Sequence, residues 1–319
     1  MKRFSIGTSV GEGFRLVTSR PLTVFVWGLL MLAPTFGALA LILPAMGEMF
    51  ASMPDPDSTA AMDEAFSEAM VGQMMQFQLA SMLSNVVQLL MMAVIYTAIF
   101  RAVLRPRERS FFSVRLGMDE LRVAVVGLAI GVGLYLVVVV AVLLGVGIGF
   151  GVGAADTAAG IWTGAGLVLV LILGVLWLMA RVSLIAPASV LYRDFAFAQG
   201  WKLASGKGWA LFGMSLLIWL MIMGIYMIVV LLAAVTIGGV VATMMPAFEA
   251  MPPDANPFTE MSAWMAANWY WAIVAGILGS MIYGALMTLM IAPFASACRQ
   301  LAESATPTEP AAPSPEPAL

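Results

Sequence analysis

Six long apolar runs constrain the fold of this chain more than any other feature. They cover residues 22–46, 74–100, 123–150, 161–182, 210–243 and 265–292, and they are rich in Leu, Met, Ala and Gly. A helix of roughly 20 apolar residues crosses the hydrocarbon core of a bilayer, whereas a membrane β-barrel is built from short strands of alternating hydrophobicity. The sequence therefore predicts an all-α fold, a polytopic integral membrane helical bundle with six transmembrane helices.

The composition agrees with this class of protein. Hydrophobic residues make up 62% of the chain and charged residues only 10%, whereas about a quarter of the residues of soluble domains are charged. The first run extends from Pro21 to Met46, which is much longer than the apolar core of about 7 to 15 residues in a secretory signal. We therefore expect an uncleaved first span.

The basic residues occupy every second connection between these runs. All 15 Lys and Arg lie in the N-terminal segment, in residues 101–122, in residues 181–207 or at Arg299, and the other connections carry only acidic charges. Because Lys and Arg are retained on the cytoplasmic side, this partition predicts a multi-pass protein of a bacterial inner membrane with both termini in the cytoplasm.

Three segments follow from these patterns. Residues 1–20 form a cytoplasmic amphipathic segment, residues 21–300 form the six-helix transmembrane domain, and residues 301–319 are rich in Pro, Ala and Glu. Such a composition is typical of a disordered tail.

Short sequences recur near the basic connections. GFRLVTSR at 13–20 parallels GWKLASGK at 200–207, and IAPASVLYR at 185–193 parallels IAPFASACR at 291–299; the middle of the chain keeps only VRLGMDELR and IFRAVLR. This pattern predicts three helical hairpins, each preceded by a short amphipathic interfacial helix on the cytoplasmic side. Since proline disrupts a helix interior, Pro187 and Pro293 are predicted hinges where a span bends or ends.

The basic and aromatic residues of these connections allow two interpretations. In the first, residues 194–207 form an interfacial helix that only anchors the fold, with Asp194 as its N-cap and Gly206 as its C-terminal stop. In the second, these residues bind lipid headgroups, with a preference for anionic ones, or a protein partner at the cytoplasmic face. The candidate interface consists of Arg15, Arg20, Arg115, Arg193, Trp201, Lys202 and Lys207.

Several kinds of chemistry are excluded by what the chain lacks. It contains no histidine and a single cysteine, so histidine acid–base pairs, histidine metal sites and intrachain disulfides are ruled out. The SGKG sequence that contains Lys207 is not a phosphate loop, because Trp201 stands where that motif needs its first glycine and Gly208 where it needs Ser or Thr. We therefore expect no catalytic residues, metal, cofactor or nucleic acid, and a protein that is not an enzyme.

The second apolar run carries polar residues on one helical face, Ser84, Asn85 and Gln88 among them. Such residues form hydrogen bonds between transmembrane helices or line a path for a polar substrate. The second possibility is the basis of an alternative function, a transporter or channel for an uncharged or lipidic substrate.

The segment RVSLIAPASVLYRDFAFAQGWKLASGKGWALFGMSLL at 181–217 resembles the membrane domain of the glycerophosphoryl diester phosphodiesterase family, a group of six-span bacterial membrane proteins. The residues that carry this resemblance are Ala186, Pro187, Trp201, Lys202, Leu203, Ser205, Gly206 and Trp209. The resemblance implies an inner-membrane protein. It does not imply phosphodiesterase activity, since the catalytic barrel of fused relatives uses histidines. The sequence thus favours a non-catalytic protein of envelope or lipid organisation, or a membrane partner of other proteins, of undetermined oligomeric state.

Overall fold

A computed structural model describes residues 4–51, 64–107, 111–115, 117–154, 156–249 and 267–305, and all regular structure in these residues is helical. The helices are α1 (Ile6–Ser19), α2 (Pro21–Ala51), α3 (Glu64–Leu104), α4 (Met118–Gly153), α5 (Thr157–Val182), α6 (Ile185–Tyr192), α7 (Phe197–Ala204), α8 (Gly208–Glu249) and α9 (Trp269–Ala305). A short 3-10 turn, Phe111–Ser113, lies between α3 and α4.

Six candidate membrane spans confirm the predicted fold class. They lie in α2, α3, α4, α5 together with α6, α8 and α9, each long and apolar enough to cross a bilayer. The helices extend beyond the predicted runs: α3 has 41 residues and α8 has 42, about twice the roughly 20 that cross a hydrocarbon core. The arrangement as three repeated hairpins stays a prediction.

The packed core lies at one end of the bundle, here named the basic end. This end comprises α1, the connection from α3 to α4, α6, α7 and the last turns of α9, and it holds the basic connections. The large side chains that are fully buried belong to the helix segments nearest to it; they are Trp27, Met31, Ile95, Ile99, Val103, Val126, Leu184, Val190, Leu211 and Met214. The opposite helix halves, named the acidic end, expose most of their apolar side chains, among them Leu143, Phe150 and Leu231.

The crossing of α2 and α9 depends on two glycines. A Cβ atom added to Gly28 would lie 1.8 Å from the backbone oxygen of Ser280, and one added to Gly284 would lie 2.1 Å from that of Val24. Small residues let transmembrane backbones approach closely. The two helices can therefore pack in this way only with glycine at both positions.

The two predicted hinges have different structures. The α5 helix ends at Val182 and α6 begins at Ile185, so the break between them lies before Pro187. Pro187 is in the first turn of α6, where a backbone N–H would have no acceptor within the helix, so proline is tolerated there. The α9 helix continues through Pro293 to Ala305. Pro293 therefore does not end the helix, and residues 301–305 of the predicted tail are helical; residues 306–319 lie outside the described chain.

The start of α7 also differs from the prediction. Its N-cap position is Ala196 instead of Asp194. The carboxylate of Asp194 accepts a hydrogen bond from the adjacent Phe195 N–H at 2.8 Å, while the N–H of Ala196 donates to Ser189 Oγ at 3.1 Å. A hydroxyl from α6 thus takes part in fixing the start of α7. Gly206 has a φ of 74° just after the helix ends, as expected of a terminating glycine.

Candidate functional site

A buried ion pair joins the end of α3 to the start of α4. The side chain of Arg101 donates to Glu120 Oε1 at 2.6 Å and to the carbonyl oxygen of Ser113 at 3.0 Å. Arg101 is 3% exposed and Glu120 is 6% exposed. Because a buried charge is tolerated only when it is paired, each residue depends on the other.

Asp119, the neighbour of Glu120, is surrounded by three guanidinium groups. Arg122 donates to its carboxylate at 2.9 Å and Arg105 at 3.2 Å, while Arg101 lies 3.8 Å away. Arg105 also donates to the carbonyl oxygen of Val190. Three guanidinium groups therefore meet at one carboxylate, and the cluster connects α3, α4 and α6.

Local sequence places these groups together. Arg105 directly follows α3 and its N–H donates to the carbonyl oxygen of Arg101 at 2.8 Å, so both arginines lie on the same side of the helix end. Asp119 and Glu120 occupy the first turn of α4, where the helix dipole favours negative charge.

The 3-10 turn between α3 and α4 completes this arrangement. Phe112 and Ser113 have φ values of 52° and 57°, an uncommon conformation for residues other than glycine. Trp27 Nε1 donates to the carbonyl oxygen of Phe112 at 2.9 Å, and Arg101 binds that of Ser113. Side chains of α2 and α3 thus hold the turn in a conformation that its own residues do not favour.

A cavity of 300 Å³ opens at this cluster. Among the described residues its lining contains five arginines and two carboxylates; the residues are Arg101, Arg105, Arg115, Gly117, Met118, Asp119, Glu120, Arg122 and Arg193. Oε2 of Glu120 is buried and has no hydrogen-bond partner among the described residues. The cavity, named the arginine pocket, combines several guanidinium groups with one buried carboxylate oxygen that has no donor in the part of the chain that the structure describes.

A second polar contact at the basic end joins α1 to α9. The Gln300 side chain accepts from the Ser5 N–H at 3.0 Å and donates to Ser9 Oγ at 3.1 Å. Arg299 of the same helix donates to the carbonyl oxygen of Val103 at 2.8 Å. The Gln300 bonds fix α1 against α9, and the Arg299 bond joins α9 to α3.

Arg15 lies on the outer side of α1 and is already paired. Its Nε donates to Glu12 Oε2 at 3.0 Å. This hydrogen bond and the negative charge of Glu12 raise the pKa of the Arg15 guanidinium. The carboxylate offsets part of the positive charge that Arg15 presents at the surface.

Trp201 contacts α5 from α7. The guanidinium carbon of Arg181 lies 4.7 Å from the centre of the Trp201 ring and 5.4 Å from that of Trp177, within the range of a cation–π interaction. Gly200 lies against the backbone of Ile185, since an added Cβ would be 2.6 Å from its Cα. The helix that carries Trp201 is therefore held closely against α5 and α6.

The structure brings together only some of the predicted interface residues. Arg115 and Arg193 both line the arginine pocket. Arg20 follows α1, while Lys202 and Lys207 are exposed on α7 and just after it. The seven candidates thus spread over the basic end, and two of them share a cavity.

The polar residues predicted on one face of α3 differ in burial and in hydrogen bonding. Ser84 Oγ donates to the carbonyl oxygen of Pro34 at 3.5 Å, the side chain of Asn85 is exposed, and Gln88 Oε1 is buried without a hydrogen-bond partner in the described part of the chain. Only Ser84 has the predicted helix-to-helix contact.

Sequence reasoning missed the centre of the arginine pocket. The charge pattern indicates Arg101, Arg105 and Arg122 only as signals of membrane orientation, and it assigns no functional role to Asp119 or Glu120. The available signal was an arginine pair four residues apart, followed by an acidic pair at the start of the next helix.

No group of three or more potential metal ligands from His, Cys, Asp or Glu occurs in the residues that the structure describes. No protein-family model matches the chain, and neither curated proteins nor solved structures give a match.

Proposed function

We propose that this protein is a non-catalytic component of the bacterial inner membrane that organises membrane lipids through a basic cytoplasmic face. The observation that carries the proposal is the concentration of buried packing and basic charge at one end of a bundle whose other end exposes apolar side chains. In this proposal the acidic end is surrounded by acyl chains and the basic end lies at the cytoplasmic headgroups.

Exposed aromatic and basic side chains support this orientation. Phe14 and Arg15 are exposed on α1, and Phe197, Trp201 and Lys202 are exposed on α7. Amphipathic aromatic rings are enriched at the headgroup level, and each Lys or Arg near an anionic leaflet contributes about 1 kcal/mol. The same surface can bind an acidic protein partner, as the sequence also suggests. We also propose that the chain is related to the membrane domain of the glycerophosphoryl diester phosphodiesterase family, on the basis of the segment 181–217.

The experiment compares anionic lipid enrichment around the native protein and a Lys202→Gln/Lys207→Gln variant. Both proteins are extracted with their surrounding lipids, and the co-purified lipids are identified by mass spectrometry. If each lysine contributes about 1 kcal/mol to the binding free energy of anionic lipid, each lysine removed lowers the preference for phosphatidylglycerol over phosphatidylcholine about fivefold.

The matched control is Lys202→Arg/Lys207→Arg, which keeps both charges. We expect this variant to retain the native lipid profile. An unchanged profile in the glutamine variant, together with unchanged capture of an acidic protein partner, would show that the basic surface has no such role.

A transporter for an uncharged or lipidic substrate is the second candidate, and Gln88 is the observation that favours it. A buried amide oxygen without a donor lies in a candidate span, where a polar substrate would supply the missing hydrogen bond. Reconstituted vesicles should then take up a neutral solute, with loss of uptake in Gln88→Leu and retention in Gln78→Leu, whose glutamine is exposed on the same helix. Equal uptake by both variants would exclude a path at Gln88.

A further inference from the structure

The arginine pocket has the composition of a binding site for a phosphate ester. We infer that it binds the headgroup of a single phospholipid, with the phosphate on its arginines and a headgroup donor near Glu120. This inference rests on the proposed function because it takes a lipid as the ligand, but it depends on side chains other than those of α7.

The first argument is the charge of the lining. Five guanidinium groups and two carboxylates are found among the described residues that line it, and Asp119 is shared by three of the five. Guanidinium groups bind phosphate oxygens through paired, charge-assisted hydrogen bonds. The lining therefore offers the kind of donor that a phosphate ester binds.

The second argument is the position of Arg115 and of the first turn of α4. Arg115 is exposed beside the pocket and has no ion pair among the described residues. Gly117, the N-cap residue of α4, makes no side-chain capping bond, so the first N–H groups of that helix also lack side-chain acceptors. Phosphate groups bind at such helix starts.

The third argument concerns the part of the ligand beyond its phosphate. Oε2 of Glu120 has no donor in the described structure, and it lies close to Gly117 of the pocket lining, since a Cβ added there would be 3.5 Å away. An ethanolamine ammonium or a glycerol hydroxyl would supply that donor, whereas a choline group has no N–H or O–H. The site should therefore prefer phosphatidylethanolamine or phosphatidylglycerol to phosphatidylcholine.

The fourth argument favours a lipid over free phosphate. An exposed apolar stripe begins at the pocket and follows α4 away from it; it consists of Met118, Leu121, Val125, Leu128 and Val132, and Met118 itself lines the cavity. Their spacing of three and four residues places them on one helix face. An acyl chain that leaves a bound headgroup would lie along this stripe.

The test measures lipid binding to the purified full chain by native mass spectrometry. The probes are phosphatidylethanolamine, phosphatidylglycerol and phosphatidylcholine, and inorganic phosphate is tested by its effect on thermal unfolding. We expect one tightly bound phosphatidylethanolamine or phosphatidylglycerol, with at least tenfold weaker binding in Arg115→Gln. Arg107→Gln removes an exposed arginine of the same connection that does not line the pocket, and it should bind as the native protein does.

Arg115→Lys keeps the charge but loses the paired geometry, so its affinity should lie between those of the native protein and Arg115→Gln. Equal weakening by Arg115→Gln and Arg107→Gln, or no weakening by either, would overturn the pocket. Stabilisation by inorganic phosphate without a one-to-one lipid complex would overturn the lipid assignment. The Lys202→Gln/Lys207→Gln variant separates the two proposals, because it should reduce general anionic enrichment and leave the single bound lipid in place.

Discussion

The two ends of this molecule are built from the same long helices but are held together differently. At the basic end, helices meet through a buried ion pair, backbone carbonyls bound by arginines and large buried side chains. At the acidic end, α4 and α5 border an apolar groove of 890 Å³ that includes Gly145 and Gly164, and an added Cβ at either glycine would meet nothing within 4 Å. Because lipid tails are as apolar as leucine, much of the acidic end can remain open in a bilayer; its close contact is between α4 and α5, where a Cβ added to Gly160 would lie 2.5 Å from the Cα of Gly153.

The largest expected effect comes from breaking the buried ion pair. Arg101→Ala leaves Glu120 buried without its partner, which typically lowers the free energy of unfolding by about 3 to 5 kcal/mol. Arg107→Ala removes an exposed arginine and should change it by less than about 0.5 kcal/mol. Denaturant titration in a mild detergent, followed by circular dichroism, measures both.

A compensated variant shows whether the charge or the packing matters at this site. Replacing both partners, Arg101→Met with Glu120→Leu, removes the unpaired charge and should recover most of the lost stability, since apolar replacements of buried ion pairs are often neutral. If Arg101→Ala were as stable as Arg107→Ala, the basic end would not be the stabilising half.

A smaller effect is expected from glycine substitutions at the two ends. Gly28→Ala places a methyl group 1.8 Å from the Ser280 backbone oxygen and should destabilise the α2–α9 crossing by about 1 to 3 kcal/mol, the usual cost of overpacking. Gly145→Ala meets open space and should be neutral or stabilising by up to about 1 kcal/mol, because alanine favours helix. Thermal unfolding of the two variants in the same detergent tests this difference; equal midpoints would mean that the α2–α9 contact does not limit stability.

The sequence allowed the helical class and the six candidate spans to be predicted, because apolar length is a property of the chain alone. It did not reveal which arginines leave the surface. Arg101 and Arg107 look equivalent in sequence, yet one is buried against Glu120 and the other is exposed. That distinction depends on how the turn at Phe111–Ser113 folds back, which is set by Trp27 from α2.

The position of a helix end near a proline also depends on how the surrounding helices pack. Ile-Ala-Pro occurs twice, but the break near Pro187 lies before the motif, while α9 continues through Pro293. Neighbouring helices can accommodate the backbone groups that a proline frees in a membrane helix. The residues around Pro293, including Ala292 and Ala295, are fully buried, so packing from several sides surrounds the helix at that point.

The smallest predicted effect concerns two tryptophans of the basic end, Trp201 and Trp209. Trp201 is 42% exposed and covers Arg181, whereas Trp209 is 78% exposed. Trp201→Leu should lower the free energy of unfolding by about 0.5 to 1 kcal/mol through the lost cation–π contact, while Trp209→Leu should change it less. A urea titration followed by circular dichroism measures both variants. Urea is used because guanidinium ions would compete with Arg181 for the Trp201 ring. If the two variants unfold at the same urea concentration, the cation–π contact of Trp201 does not stabilise the fold, and α7 is held by its other contacts, such as those at Gly200 and Ala196.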